Sequence, residues 1–149
     1  RGNMLIEKIF DIINYYHHHK ISSYAKNLGC KTLIDVGCHK GDLLNSFLKT
    51  KKFTKFYCFE PQKKIFKILS KNFKNKKNIK LFNLGLAHKN SKIIFHENKL
   101  TSTSTFSESK NTFFSKIKNF ILNSKTSYID KYPINTKKLD EIFIKKKNI

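Results

Sequence analysis

The chain has 149 residues, 39% of them hydrophobic and 14 of them phenylalanine, which is enough for one domain with a real core and too little for two. Its formal net charge of +21 is typical of proteins that bind nucleic acid or anionic membranes, but Arg1 is the only arginine, and the lysine, asparagine and isoleucine bias is also what an AT-rich genome would impose. The charge alone does not separate weak attraction to polyanions from that bias. No apolar run approaches the roughly 20 residues that cross a bilayer, and the N-terminus lacks the form of a signal peptide, which predicts a cytoplasmic protein.

The first 30 residues are predicted to form a separate helical segment. Apolar side chains from Leu5 to Tyr16 recur at helical spacing and predict an amphipathic helix over 4–16, and a second short helix is expected over 22–28, ending at Gly29. The histidines at 17–19 lie between them and are interpreted as a solvated helix end, because adjacent histidines do not share a helix face. The three cysteines form no CxxC pair, so no metal site is predicted.

From Thr32 the pattern alternates between strand and helix. Strands are predicted over 32–36, 55–59 and 78–84, and helices over 42–50 and 61–73, the second opening with Pro61 in its first turn. This order implies parallel strands joined by right-handed crossovers. The predicted fold is therefore α/β, a Rossmann-like three-layer sandwich that occupies residues 31–149 and is incomplete at its C-terminus.

The pattern weakens beyond Ala87. A further strand is expected over 91–96, a low-complexity loop over 101–109 and a helix over 113–123. The stretch 132–143 predicts an extended segment followed by a helical turn.

The stretch "DVGCHKGD" lies where the first strand gives way to a helix and predicts a ligand-binding turn. Gly37 and Gly41 allow a sharp turn and close approach of a ligand, and the helix beginning near Asp42 directs its free N–H groups there. A dinucleotide fingerprint would have a middle glycine for the pyrophosphate, where this chain has His39. A ligand without phosphates, such as S-adenosylmethionine, fits better, although a strand-to-helix glycine pair without any ligand is also common.

Glu60 follows the second predicted strand, 25 positions after Asp35. A carboxylate there can accept hydrogen bonds from both hydroxyls of an adenosine ribose. The alternative is a surface acid favoured by the helix N-terminus and by Pro61. At the end of the third strand, Leu86 and Ala87 are predicted to flank the adenine ring.

The stretches "LIDVGCHKG", "FYCFEP", "LGLAHKNSKIIF" and "INTKKLDEI" resemble, in that order, the FkbM-type methyltransferases, a class I group that depends on S-adenosylmethionine. The resemblance spans residues 32–144 and is most specific over 33–62. It implies cofactor binding by Asp35, Gly37, Gly41 and Glu60, with Cys38, His39, Asp42 and Pro61 on the same two turns. It also implies O-methylation of a hydroxyl on a sugar, glycan or small-molecule acceptor.

Two departures from this family pattern qualify the expectation. Cys38-His39 stands where the family usually has Ala-Asn, and the later K-x-D-x-E-G segment is absent because the chain stops at Ile149. The chain is therefore expected to be a fragment or a truncated reading frame. Two alternatives remain open: an RNA methyltransferase, motivated by the charge, and an inactive domain that only binds cofactor. No catalytic base is assigned; the histidines at 39, 88 and 96 are candidates by residue type alone.

Overall fold

The structure, a computed structural model, describes residues 4–98 and 128–144. The chain divides into two compact units between Asn83 and Leu84. The first contains the alternating helices and strands, and the second contains another three-stranded sheet.

The first unit is built on a parallel sheet. Its elements in chain order are α1 (Met4–Ala25), β1 (Thr32–Val36), α2 (Asp42–Lys49), β2 (Lys55–Phe59), α3 (Lys63–Phe73) and β3 (Ile79–Phe82). The strand order is β1-β2-β3, and Cys58 of β2 pairs with Asp35 on one side and Leu81 on the other. Parallel neighbours joined by α2 and α3 confirm the predicted α/β, Rossmann-like fold.

The core of this unit lies where alternate strand residues meet α2 and α3. Phe56 and Cys58 point to the same side of β2 because side chains alternate along a strand, and they pack with Leu44 of α2 and Leu69 of α3. All four side chains are at most 1% exposed. The pattern that predicted the two helices is therefore the pattern that buries one side of each.

The N-terminal helix differs from the prediction. The structure has one helix of 22 residues, Met4–Ala25, in place of helices over 4–16 and 22–28. The histidines at 17–19 accordingly lie inside a helix and not at its end. No glycine or proline interrupts this stretch, and Ser22, predicted to start a second helix, instead donates its hydroxyl to the His19 carbonyl at 3.0 Å.

The second unit has three strands and a short helix. The elements are β4 (Gly85–Leu86), β5 (Ser91–Asn98), β6 (Tyr128–Lys137) and a six-residue helix, α4 (Leu139–Ile144). β6 is central, antiparallel to β5 and parallel to β4. The predicted strand at 91–96 and the extended segment and helical turn within 132–143 are confirmed, whereas the loop at 101–109 and the helix at 113–123 lie outside the described residues.

Within residues 4–98 and 128–144, no helix has both the length and the apolar character that spanning a bilayer requires.

Candidate cofactor site

The turn after β1 folds tightly against the end of β2. Gly37, His39 and Gly41 have φ angles of 80°, 50° and 93°, in the left-handed region. The N–H groups of Gly37 and Cys38 both donate to the Phe59 carbonyl, at 2.8 and 3.1 Å. Three left-handed residues in five reverse the chain between strand and helix, which explains why glycine occupies two of these positions.

The two glycines have different surroundings. A Cβ atom added to Gly41 would lie 2.3 Å from Cε2 of Phe73, a ring that is 5% exposed. A Cβ atom added to Gly37 would meet nothing within 4 Å. Gly41 therefore permits close packing of α3 against the turn, whereas Gly37 leaves open space above the backbone.

Glu60 binds the turn to the start of α3. One carboxylate oxygen, Oε2, accepts the His39 N–H at 2.9 Å, and the other, Oε1, accepts the Gln62 N–H at 2.8 Å. The side chain is 2% exposed, and burial raises the pKa of its carboxyl while the N–H bonds from Gln62 and His39 oppose that shift. Glu60 is thus a buried carboxylate satisfied by the backbone, which rules out the alternative of a surface acid.

Asn83 ties the end of β3 to the same place. Its side-chain amide donates to the carbonyls of Glu60 and Pro61, at 2.8 and 3.2 Å, and the Glu60 N–H donates to the Phe82 carbonyl at 3.0 Å. Sequence reasoning missed both Asn83 and Gln62. Asn83 lies inside the strand predicted over 78–84 but directly after the observed β3, and an asparagine near a strand end was the available signal, since its amide commonly bonds to nearby backbone.

Asp35 has a buried carboxylate with an unpartnered oxygen at this edge of the sheet. It is 9% exposed, and its Oδ2 atom has no hydrogen-bond partner among the described residues. Burial raises the pKa of its carboxyl to about 6. A buried carboxylate without a partner is costly, so this atom can accommodate either a proton or a cationic group of a ligand.

Cys38 and His39 occupy the middle of the turn. The Cys38 thiol donates to the Phe59 carbonyl at 3.5 Å. The pKa of this thiol is raised, first by a hydrogen bond with Cys58 and second by burial. A buried thiol that stays protonated is a poor nucleophile. Burial and the neighbouring Lys40 lower the pKa of His39, which favours its neutral ring. The described residues contain no cluster of three potential metal ligands.

The remaining predicted residues lie on both units. Asp42 is the exposed first residue of α2, whose N-terminus receives no side-chain hydrogen bond at its cap, Gly41. Pro61 is buried between Glu60 and the cap of α3, Gln62. Leu86 and Ala87 belong to the second unit, where the Ala87 N–H donates to the Lys137 carbonyl at 3.1 Å.

The three candidate histidines are not alike. His39 is half-buried within the turn, whereas His88 and His96 belong to the second unit, the former exposed and the latter 7% exposed on β5. The structure therefore brings together at the ends of β1, β2 and β3 the predicted residues from Asp35 to Asp42 with Glu60 and Pro61. The assignment of a base remains open.

No protein-family model matches the chain, and no curated protein matches it. Among solved structures it is similar to a methyltransferase domain of bacterial CtHen1-C, at 25% identity and a TM-score of 0.43 over 46% of this chain and 39% of that one. It is also similar to a protein from Pyrococcus horikoshii provisionally described as an RNA methyltransferase, at 22% identity and a TM-score of 0.40 over 45% of this chain and 36% of that one.

A third similar structure is the methyltransferase FkbM from Methylobacillus flagellatus KT, at 14% identity and a TM-score of 0.43 over 76% of this chain. The chain covers 22% of that protein, and between a fifth and two fifths of each of these three. All three of these similar structures are described as methyltransferases, an FkbM protein among them.

Proposed function

We propose that this chain is the cofactor-binding part of an S-adenosylmethionine-dependent methyltransferase. The observation that carries the proposal is the buried Oδ2 atom of Asp35, which has no partner among the described residues and lies where β1 enters a turn with two left-handed glycines. Ligands of open α/β sheets bind outside the carboxyl ends of the strands, which is where this turn lies.

The residues of the first unit fit the methionine end of this cofactor. Asp35 would pair with its ammonium group, and the uncapped N-terminus of α2 would donate N–H groups to its carboxylate. When bound, the cofactor supplies an electrophilic methyl group. Around it, the backbone of residues 37–41 would exclude water from one side and orient the ligand.

Fewer residues are proposed to contact the adenosine end of the cofactor than its methionine end. Each Glu60 oxygen accepts one backbone N–H and keeps a second lone pair, with which it would accept a ribose hydroxyl. Leu86 and Ala87 remain the residues proposed to flank the adenine ring. The acceptor is proposed, from the FkbM resemblance, to be a hydroxyl of a sugar, glycan or small molecule, with an RNA acceptor and an inactive binding domain as the alternatives.

Titration calorimetry with two ligands tests the cofactor assignment. S-adenosylhomocysteine has the amino-acid end of the cofactor, and 5′-methylthioadenosine has the same nucleoside without it. We expect the first to bind at least about tenfold more tightly, because the loss of a charge-assisted contact typically costs more than 1.4 kcal/mol. No heat with the first ligand at millimolar concentration, or equal affinity for both, would overturn the assignment.

The ionisation of Asp35 makes folding stability depend on pH. Its pKa in the folded protein, about 6, exceeds the ordinary value of 3.8, so the folded state binds more protons than the unfolded state between these values. Stability is therefore greatest below this window and falls as pH rises through it. Asp35→Asn should remove that fall and raise the free energy of unfolding at pH 7 by about 3 kcal/mol, measured by urea unfolding between about pH 4 and 8.

Asp35→Asn also shows whether Asp35 contacts the ligand or is only a buried carboxylate without a partner. A bound ammonium group favours ionised Asp35, so wild-type affinity for S-adenosylhomocysteine should increase from about pH 5 to 7, and Asp35→Asn should weaken binding and abolish the increase. Asp140→Asn, at an exposed position of α4, is the matched control and should change neither quantity. Full affinity in Asp35→Asn would remove Asp35 from the site.

A further inference from the structure

Helix α3 and the turn after it contain many lysines and no acidic residue. Between Pro61 and His96 the sequence contains no aspartate or glutamate. The helix and its following turn contain seven lysines, all exposed: Lys63, Lys64, Lys67, Lys71, Lys74, Lys76 and Lys77.

Four of these lysines lie on one side of the helix. Lys63, Lys67, Lys71 and Lys74 follow one another at intervals of four, four and three residues, and are here called the lysine face. Intervals of three and four keep side chains on one side, and four residues advance about 6 Å along the axis. The apolar side holds Ile65, Leu69 and Phe73, each at most 5% exposed, so packing keeps the lysine face turned away from the core.

Few acidic groups on the same unit oppose this charge. Over residues 12–83, where the structure describes exposure, the acidic residues are Asp35, Asp42 and Glu60, and Asp42 is the exposed one. Glu60 is bonded by backbone N–H groups, and Asp35 is buried. Within residues 12–83, Asp42 is therefore the one exposed carboxylate beside the seven exposed lysines of α3 and its turn.

The opposite side of α3 packs against the candidate cofactor turn. The Asn72 amide, on the same helix, donates to the Lys40 carbonyl at 3.5 Å, and a Cβ on Gly41 would touch Phe73 and Leu69. The exposed Lys40 side chain belongs to that turn. A ligand on the lysine face would thus lie on the outer side of the helix that packs on the turn.

We propose that the lysine face of α3 binds the phosphate backbone of a nucleic acid. Lysine is a flexible point charge that attracts phosphate without reading bases, so the binding would be strong at low salt and indifferent to sequence. Helix α3 does not suit insertion into a membrane, because insertion needs an exposed apolar side. The apolar side of α3 is packed in the core, and Ile68, 41% exposed, is the one large apolar side chain of the helix that is open to solvent. The proposal goes beyond the cofactor site and does not require cofactor to be bound.

Two matched sets of substitutions test this surface. The first changes Lys63, Lys67, Lys71 and Lys74 to glutamine, and the second changes four exposed lysines elsewhere on the same unit, Lys20, Lys26, Lys31 and Lys52. Both lower the net charge equally. Binding of a labelled 20-nucleotide single-stranded RNA is followed by fluorescence anisotropy between about 50 and 200 mM salt.

We expect the first set to weaken RNA binding at least tenfold and to reduce the slope of log affinity against log salt by about 3, since single strands give about 0.7 per phosphate contact. The control set should weaken binding by less than about twofold to threefold, a generic charge effect. Urea unfolding should show both variants folded, because the altered side chains are exposed. S-adenosylhomocysteine binding should be unchanged in the first set, which keeps this test independent of the cofactor assignment.

Three results would overturn the proposal. They are equal weakening by the two sets, absence of salt-dependent RNA binding by the wild type, and binding to phosphatidylserine–phosphatidylcholine vesicles without binding to RNA. The last result would assign the surface to an anionic membrane instead.

Discussion

Gly41→Ala is expected to lower the free energy of unfolding by about 3 to 4 kcal/mol. Two effects add. Gly41 has a φ of 93°, a conformation that costs an L-residue about 1–2 kcal/mol, and its new methyl group would lie 2.3 Å from the Phe73 ring. Phe73 is 5% exposed and packed in the core, so it cannot swing aside without disturbing α3. Urea unfolding measures the loss.

Gly37→Ala is the matched control because it carries the backbone effect alone. Gly37 has a similar φ, 80°, but a Cβ atom there would meet nothing within 4 Å. We expect a loss of about 1–2 kcal/mol. In a Phe73→Leu background the cost of Gly41→Ala should shrink, since the smaller side chain leaves room, whereas the cost of Gly37→Ala should not. Equal losses for the two glycines would contradict the contact between the turn and α3.

Glu60→Ala is expected to lower the free energy of unfolding by about 3 kcal/mol, because it leaves the N–H groups of His39 and Gln62 without their acceptor in a buried site. Each unsatisfied group costs roughly 1–3 kcal/mol, and relief of the cost of burying a carboxylate offsets part of that loss. Because His39 has a left-handed φ of 50°, the turn should also lose its fixed conformation and with it most of the affinity for S-adenosylhomocysteine.

Glu60→Gln separates the loss of the hydrogen-bond acceptors from the relief of burying a charge. Its side chain keeps one carbonyl oxygen to accept an N–H but places an amide donor against the other, so we expect an intermediate loss of stability. Glu141→Ala, on α4, removes a carboxylate that accepts the Asn90 amide at an exposed position, and should cost less than about 1 kcal/mol. If Glu60→Ala lowers the free energy of unfolding no more than Glu141→Ala does, the two N–H bonds do not hold the turn.

The hydrogen bonds of Glu60 give it a second role beside the one expected from the sequence. The spacing from Asp35 predicted a carboxylate for ribose hydroxyls, and that role stays a proposal. The hydrogen bonds to His39 and Gln62 add a positioning role, in which the carboxylate fixes the turn before any ligand arrives. A turn that is ordered in advance loses less conformational entropy when it binds.

The order of strands and helices in the first unit could be predicted from the sequence because each element depends on local pattern. β1 and β2 have the bounds expected from two short apolar runs flanked by turn residues, and α2 and α3 follow from apolar side chains at helical spacing. α3 begins two residues later than predicted, since Pro61 and Gln62 precede its first turn. The prediction of two N-terminal helices is wrong, because the helix continues through the histidines at 17–19, which the prediction places at a helix end.

The α/β class, the glycine turn and its flanking residues follow from the amino-acid sequence, because periodicity and left-handed turn chemistry act over a few neighbouring positions. It takes the folded chain to show that Glu60 is bonded to the backbone of the turn, that Asp35 is buried with an unpartnered oxygen, and that Gly41 makes room for Phe73. These facts depend on contacts between residues far apart in the chain, such as positions 41 and 73. Burial and hydrogen bonding across such distances arise when the sheet and helices pack, and no local pattern encodes them.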